Sequence, residues 1–445
     1  MRRAIFVSGL GVGLLRLAGM GLGLLVTIVV GRSLGPAGLG VYGYVVIVLT
    51  LLTVPVSYGW GALLLRRVSA ARHERLWGEP AGMFVRGTQI AAVLALIVFV
   101  AGVALRAVDA ALLPAFPSWY VVAVLAAVLF LDQFSALRLA VLRGLEHPLW
   151  GQLPEMVLRP ALICGIFGIA VAMLGPAVRL EHAFWAMGAA AAVSAVAGAA
   201  ILRRKRPEAF ATAKPVFDTR QWAASALLLA ANSGLLVLNS YVDVLLLGAF
   251  GTMEQVGVYR IATQVALLSG FAYTALNMLA VPRFSYLRAS GSPGELQHSA
   301  VFMARLALLG TLPLPLVFAF FGPAIVTAVF GASFAAACAP AFPLFAAQVV
   351  NAAAGMASSL LIVNRREAHL TRLTGAAVGV NAALCLLLIP RAGAMGAALS
   401  SMSASVSWNL AIWWYARREL GIDTSVAGRL SPTAASRERT GTTPR

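Results

Sequence analysis

Acidic residues are scarce in this chain: 16 Asp and Glu stand against 34 Lys and Arg over 445 residues. Charged residues of both signs make up 11%, where a soluble globular domain carries roughly 25%. A water-facing surface over most of the chain is thereby excluded. Cysteine is nearly absent. Cys164, Cys338 and Cys385 stand singly inside long apolar runs, which excludes a disulfide framework or a cysteine metal site and leaves them as small packing residues. No metal or cofactor site is expected. No Walker sequence occurs, so the chain does not itself hydrolyse nucleotide.

What the chain has instead is apolar length. It is 60% hydrophobic with a mean hydropathy of +0.87. Crossing a bilayer takes about 20 apolar residues. Twelve such spans are expected, near 8–30, 41–62, 83–105, 118–139, 152–174, 183–202, 222–247, 256–280, 300–320, 337–363, 372–390 and 394–415. Pro313, Pro315, Pro323, Pro340 and Pro343 blur spans nine and ten. Breaks within hydrocarbon survive only where protein or a water-filled cavity satisfies the freed backbone groups.

The net charge of +18 invites a nucleic-acid reading, and its distribution argues against one. Basic clusters fall on alternate connections: Arg2-Arg3; Arg66, Arg67, Arg72 and Arg75; Arg143; Arg203 to Arg206 with Lys214 and Arg220; Arg283 and Arg288; Arg365, Arg366 and Arg372; and Arg417 onward. The opposite connections hold at most one arginine each: Arg32, Arg106, Arg179 or Arg391. Lysine and arginine resist translocation in short loops, so the rich side is cytoplasmic and both termini lie inside. Arg2-Arg3 before an apolar run mimics a secretory leader. No small-residue cleavage site opens into a soluble domain, so the run is expected to persist as the first span.

The basic stretch 203–221 joins two halves of six spans each. An even number of spans gives both halves one orientation, related by an axis near the membrane normal. The expected organisation is an N-terminal lobe 1–202, a cytoplasmic basic linker 203–221, a C-terminal lobe 222–418 and a polar tail 419–445. From about residue 421 that tail is expected to be disordered.

The halves also repeat in sequence. Gly31-Arg-Ser-Leu-Gly-Pro-Ala-Gly-Leu-Gly-Val-Tyr42 returns 217 residues later as Gly248-Ala-Phe-Gly-Thr-Met-Glu-Gln-Val-Gly-Val-Tyr259, and Arg66 maps onto Arg283. Repetition at half the chain length inside hydrophobic spans is how duplicated transporters are written.

These hairpins, with Leu388-Ile-Pro-Arg-Ala-Gly-Ala-Met-Gly-Ala-Ala398, resemble the bacterial oligosaccharide flippases of the multidrug/oligosaccharidyl-lipid/polysaccharide exporter superfamily. The resemblance runs from about residue 5 to 418. It implies an all-α integral membrane protein of two six-helix lobes around a central cavity. It further implies alternating access and a polyprenyl-diphosphate-linked glycan as cargo, with a polymerase or glycosyltransferases of the same pathway as possible partners. Lipid II flippases of the superfamily carry several arginines in their first two helices. This chain has Arg16 in span one and Leu22 near where a second would fall.

Candidate cavity residues lie in polar stripes. Ser225, Asn232, Asn239 and Asp243 follow one face of span seven. Arg260, Gln264, Thr274 and Asn277 follow a face of span eight, and Gln348, Asn351, Gly355 and Ser359 a face of span ten. Polar groups facing lipid go unsatisfied, so these stripes turn to protein or water. Interhelical hydrogen bonding is the plain alternative for any one of them. Arg16, about two turns inside span one, requires a partner or an aqueous cavity. Arg86, Arg138 and Arg305 sit near span ends and are read as snorkelling. Glu155 and Arg159 are read as an intrahelical ion pair. Asp132 is assigned either to proton or cation coupling or to a neighbouring helix. Asp243 and Arg260 flank the second hairpin turn and are expected to pair, as a clasp or a gate.

The sequence thus reads as a flippase in a bacterial plasma membrane, without catalytic residues. Arg16, Asn232, Asn239, Arg260, Gln264, Asn277, Gln348 and Asn351 are the cargo-binding candidates, and Asp243 and Asp132 the gating or ion-coupling ones. A multidrug exporter or lipid II flippase of the same superfamily is the nearer rival. Arg16 and Arg260 favour an anion over an organic cation. A membrane glycosyltransferase or ligase needs paired outer acids for metal or general-base work. Asp109, Glu181 and Glu254 are each alone on the outer side. The topology is testable. Single cysteines at Ser69 and Ala213 are expected to be shielded from an impermeant thiol reagent in intact cells, and cysteines at Ala37 and Thr252 to react. Labelling of Ala37 and Ala213 from one side would overturn the arrangement.

Overall fold

The computed structural model describes residues 2–108 and 119–429, and the side chains of 2–10, 12, 106–108 and 232 fall outside that description. Asp109, the Asn232 side chain and the tail beyond 429 therefore lie outside the described residues. Every regular element among the described residues is helical. A segment that enters hydrocarbon has only its own turns to satisfy its backbone groups, and helices do that completely.

The packing divides the chain into two compact units, residues 1–238 and 239–445. The first opens with α1 (Arg2–Leu52), interrupted at Gly35 with φ 68° and ψ −175° just before Pro36. Glycine reaches that conformation without a Cβ penalty, and the proline then restarts a helix that needs no N–H there. A π-helical turn, Pro55–Trp60, leads into α2 (Gly61–Glu74), followed by α3 (Gly78–Val108) and α4 (Trp119–Gly144). After α5 (Pro148–Leu153) comes a second π-helical turn, Pro154–Leu158, which runs into α6 (Arg159–Leu174). The unit continues with α7 (Leu180–Lys205), the short α8 (Glu208–Thr212) and α9 (Thr219–Asn239).

The arginine-rich end of this unit is built on indole rings. Trp60, Trp77 and Trp222 are buried together with Leu64, Val68 and Phe210. Trp60 Nε1 donates to Met83 O at 2.8 Å, and Trp222 Nε1 donates to Glu79 Oε1 at 3.1 Å. The basic stretch 203–221 docks here. Phe210 meets Trp77 edge-on at 5.9 Å, Val216 N donates to Gly78 O at 3.0 Å, and Arg86 lies over the Phe217 ring. The snorkelling expected of Arg86 is thus a cation–π contact. The division into units falls beyond this stretch, at Asn239.

The second unit holds α10 (Val242–Phe250), α11 (Met253–Ser269), α12 (Phe271–Ala289), α13 (Pro293–Thr311) and α14 (Pro313–Phe330). A 3₁₀ turn, Ala332–Ala337, precedes α15 (Cys338–Ala354), α16 (Ala357–Val363) and α17 (Glu367–Leu420). α17 is interrupted at Gly393 with φ 51° and ψ −127°. Thr252 caps α11 reciprocally with Gln255, both bonds being 3.2 Å. Gly35 and Thr252 are 217 residues apart, so the two copies of the repeat break their helices at matching positions.

Among the described residues nine helices are long and apolar enough to cross a membrane, ten with the bent pair α11–α12. This count falls below the twelve spans expected, in part because it takes merged helices as one. Two of the nine, of 40 and 54 residues, contain the glycine interruptions, and each half is of membrane-crossing length. The proposed disorder from residue 421 also needs correction. Residues 421–429 fold back as an ordered strap with Thr424 fully buried, because their polar groups find side-chain partners on α13 and backbone carbonyls on α15.

Docking of the basic stretch through Phe210 is testable. Phe210→Ala is expected to lower stability by about 3–5 kcal/mol, the usual range for a buried phenylalanine. Trypsin is expected to cut at Arg220 faster in the variant. Unchanged melting and cleavage would show that Phe210 does not hold the stretch.

Candidate functional site

Four ionisable side chains of the first unit meet in one network. Arg159 on α6 holds both carboxylate oxygens of Asp132 on α4, the second through Nη2 at 3.4 Å. Glu155 lies 3.8 Å from Arg159 but closer, 3.2 Å, to Arg138 Nη2, and accepts from Ser194 Oγ at 3.1 Å. The intrahelical Glu155–Arg159 pair is thus the weaker contact of each residue. The snorkelling read for Arg138 is wrong: its side chain is 0% exposed, pressed against α7 where Gly198 leaves room. Glu155 sits in the Pro154–Leu158 π turn, and an extra residue per turn re-aims the side chains that follow. Arg138 Nε and Nη1 and both amide atoms of Gln133 are buried without a hydrogen-bond partner.

Asp132 and Arg159 open onto a cavity of about 220 Å³, walled also by Tyr42, Leu49, Thr50 and Met187. Tyr42 is the last residue of the first repeat copy. Its counterpart in the second unit, Tyr259, does related work. Asp243, 8% exposed, accepts hydrogen bonds from Tyr259 OH, from Ser401 Oγ at 2.8 Å and from Val244 N at 2.8 Å. The expected Asp243–Arg260 pair is not what holds the carboxylate. Neighbouring helical residues point about 100° apart, so α11 cannot aim Tyr259 and Arg260 at the same group. The sequence marked both tyrosines as repeat signatures and missed Tyr259 as the partner of a buried acid and Tyr42 as a wall of the Asp132 cavity.

Arg16 is exposed on the unit, with open space around Gly13 and Gly23 beside it. Its charge acts on Arg143 of α4, which also interacts with Tyr58 of the first π turn. Neither arginine enters an ion pair among the described residues. Arg16, Arg143 and Tyr58 are each exposed, and exposed guanidiniums within range of one another's charge suit an anion.

Each polar stripe of the second half runs into a helix break. α9 ends at Asn239, and Tyr241 (φ −138°, ψ −1°) restarts the chain as α10. Asn239 is therefore exposed while Asp243 turns into the second unit, and the two do not share a face. α11 and α12 bend by 53° at Gly270, dividing Arg260 and Gln264 from Thr274 and Asn277. α15 stops at Gly355 (φ 75°, ψ −163°), between Asn351 and Ser359. Within this unit two stripes meet: Ser359 Oγ donates to Asn277 Oδ1 at 2.8 Å, and the Gln348 amide fills the space beside Gly270. Asn351 Oδ1 is buried with no hydrogen-bond partner. Arg260 and Gln264 are half-buried on α11.

A family model described as polysaccharide biosynthesis protein matches residues 9–288. The chain belongs to that family. No curated protein matches this family member. Among solved structures it is similar to an inward-facing multidrug resistance MATE family transporter of the MOP superfamily, at 16% identity and TM-score 0.72, covering 92% of this chain and 98% of that one. It is similar to the lipid II flippase MurJ in an inward closed conformation, at 10% identity and TM-score 0.71, covering 93% and 87%. A MOP superfamily transporter from Pyrococcus furiosus matches at 14% identity and TM-score 0.63, covering 93% and 95%. At these identities the likeness is one of fold: the family member is a multi-pass membrane protein with a transporter fold.

The Asp132–Arg159 pair predicts a pattern of stability. Asp132→Asn strands a buried guanidinium and is expected to cost about 2–4 kcal/mol, below the roughly 3–5 of a sealed pair because the cavity admits water. Adding Arg159→Met is expected to recover at least half of the loss in thermal unfolding. A double variant less stable than the single one would show that the pair is not the coupled unit.

Proposed function

We propose that this protein is a flippase that moves a polyprenyl-diphosphate-linked oligosaccharide from the cytoplasmic to the outer leaflet of a bacterial plasma membrane, without altering it chemically. The physical problem is the passage of a hydrated glycan and a charged diphosphate through hydrocarbon while the polyprenyl tail stays in lipid. Family membership and the transporter fold support the class of activity. The observation that carries the cargo is the exposure of Arg16 and Arg143, two guanidiniums without an ion pair among the described residues. Their like charges repel, and a diphosphate bound to both turns that repulsion into attraction; guanidiniums hold phosphate oxygens two at a time.

The remaining candidates fit the glycan. Asn239, Arg260, Gln264, Gln348, Asn351 and Asn277, with Asn232, supply amides and a cation suited to sugar hydroxyls, and the unpartnered Asn351 Oδ1 is an acceptor already dehydrated. Asp243 and Asp132 are the groups whose charge state or pairing would change during alternating access, each with a tyrosine nearby. In this reading both termini and the basic stretch 203–221 lie in the cytoplasm, and the halves 1–202 and 222–418 are the moving lobes.

The experiment follows the lipid-linked glycan in cells. Arg16→Ala and Arg143→Ala are expected each to lower its appearance in the outer leaflet at least tenfold, with normal protein abundance and with the intermediate accumulating inside. Lysine at either position is expected to retain part of the activity, since charge persists without the bidentate fork. Wild-type transport by both alanine variants would overturn the diphosphate assignment. Energised efflux of an organic cation, with glycan export unaffected, would favour a multidrug exporter.

A further inference from the structure

The strap formed by residues 421–429 closes the gap in the broken α15–α16 helix. Thr424 Oγ1 donates to Ala354 O at 2.8 Å, and Val426 N donates to Ala353 O at 2.9 Å. The strap is fixed on its other side by α13. Gln297 makes a two-way pair with the Asp423 backbone, accepting from N and donating to O, both at 2.8 Å. Arg305 donates to Val426 O at 3.1 Å and Gly428 O at 3.3 Å. This is the role of the arginine expected to snorkel. The Asp423 carboxylate accepts from Trp413 Nε1 at 2.8 Å and from Ser425 Oγ at 2.7 Å. Position 355 must be glycine here, for φ is 75° and a Cβ would overlap Thr424 O.

The two carbonyls captured by the strap are special. In an uninterrupted α-helix, Ala353 O and Ala354 O accept from the N–H groups of residues 357 and 358, four positions on. In the broken helix those N–H groups belong to the first turn of α16, where no acceptor exists within the helix. Strap and continuous helix thus compete for the same two acceptors. The surroundings are apolar: Met356, Ala357, Leu360 and Leu361 are buried against Ile412 and Ala416. An unmet carbonyl there costs roughly 1–3 kcal/mol, so one or other partner must be present. A packed element with two mutually exclusive bonding schemes is bistable.

We propose that the C-terminal strap is a latch: docked, it holds α15–α16 broken at Gly355, and its release lets the two join as one helix. The device resides wholly in the second unit and does not depend on the identity of the cargo. It also places a regulatory element next to Asn351 and Ser359, which flank the break.

The test tethers the strap in the full-length protein. Gly428 lies against Val301, where a Cβ would come within 2.6 Å of Val301 Cγ2, so Val301→Cys with Gly428→Cys is made in a background with Cys164, Cys338 and Cys385 replaced by alanine. Hydrogen exchange is read by mass spectrometry in lipid nanodiscs. In the reduced protein, release of the strap exposes 421–429 and hands Ala353 O and Ala354 O to the N–H groups of 357 and 358, so the two segments are expected to respond in opposite senses. Oxidation, which holds the strap docked and the helix broken, is expected to slow exchange of 421–429 at least tenfold and to quicken that of 357 and 358 at least threefold, and reductant to restore both. Unchanged exchange of 353–358 with the disulfide fully formed would overturn the latch. If the cysteine variant does not accumulate, Thr424→Val in the wild-type background serves instead. It is expected to speed exchange of 421–429 at least threefold and to slow that of 357 and 358, and no change at 353–358 overturns the proposal equally.

Discussion

Inside hydrocarbon no water is available to a backbone N–H or C=O that leaves its helix, and this constraint organises the whole chain. Breaks occur at Gly35, Asn239–Tyr241, Gly270, Gly355 and Gly393, and several carry an identifiable filler. The Gln348 amide lies beside Gly270, the Gln255 amide beside Gly393, and the strap at Gly355. Side-chain amides suit this work because each brings both donors and an acceptor. Polar side chains in these spans thus occupy the room that a stopped helix leaves.

The buried acids show one repeat solving one problem in two ways. In the first unit Asp132 is neutralised by Arg159, and Glu155 and Arg138 extend the network to α7. In the second unit Asp243 has the neutral donors Tyr259, Ser401 and a backbone N–H. The equivalent tyrosines, Tyr42 and Tyr259, border the respective sites. A carboxylate held by a guanidinium is anchored by charge, whereas one held by hydroxyls is more easily released to another partner, since neutral hydrogen bonds are about half as strong as charge-assisted ones.

Some of this was legible before any fold was known. The spans, the repeat and the clustering of arginine at alternate connections rest on composition and spacing, which the bilayer reads along the chain one segment at a time. Arg16 could be singled out because one charge in an apolar run is conspicuous whatever surrounds it. Asp243 was likewise visible, but its partner was not, because the choice between Tyr259 and Arg260 turns on 100° of helix rotation. The Glu155–Arg159 spacing was read correctly as a contact and wrongly as the main one, since Asp132 and Arg138 approach from a different helix.

The sequence by itself therefore determined what the solvent imposes: an all-helical membrane protein with duplicated halves and a few costly polar groups. Tertiary structure alone decided which groups meet. Residues 138 and 155, 42 and 132, and 354 and 424 are brought together by helix packing and by breaks that rotate one face away from another. Local periodicity assumes an unbroken helix. Each polar stripe drawn on that assumption met a break, because the residues that make a helix polar inside a membrane are also those able to satisfy its backbone once the helix stops.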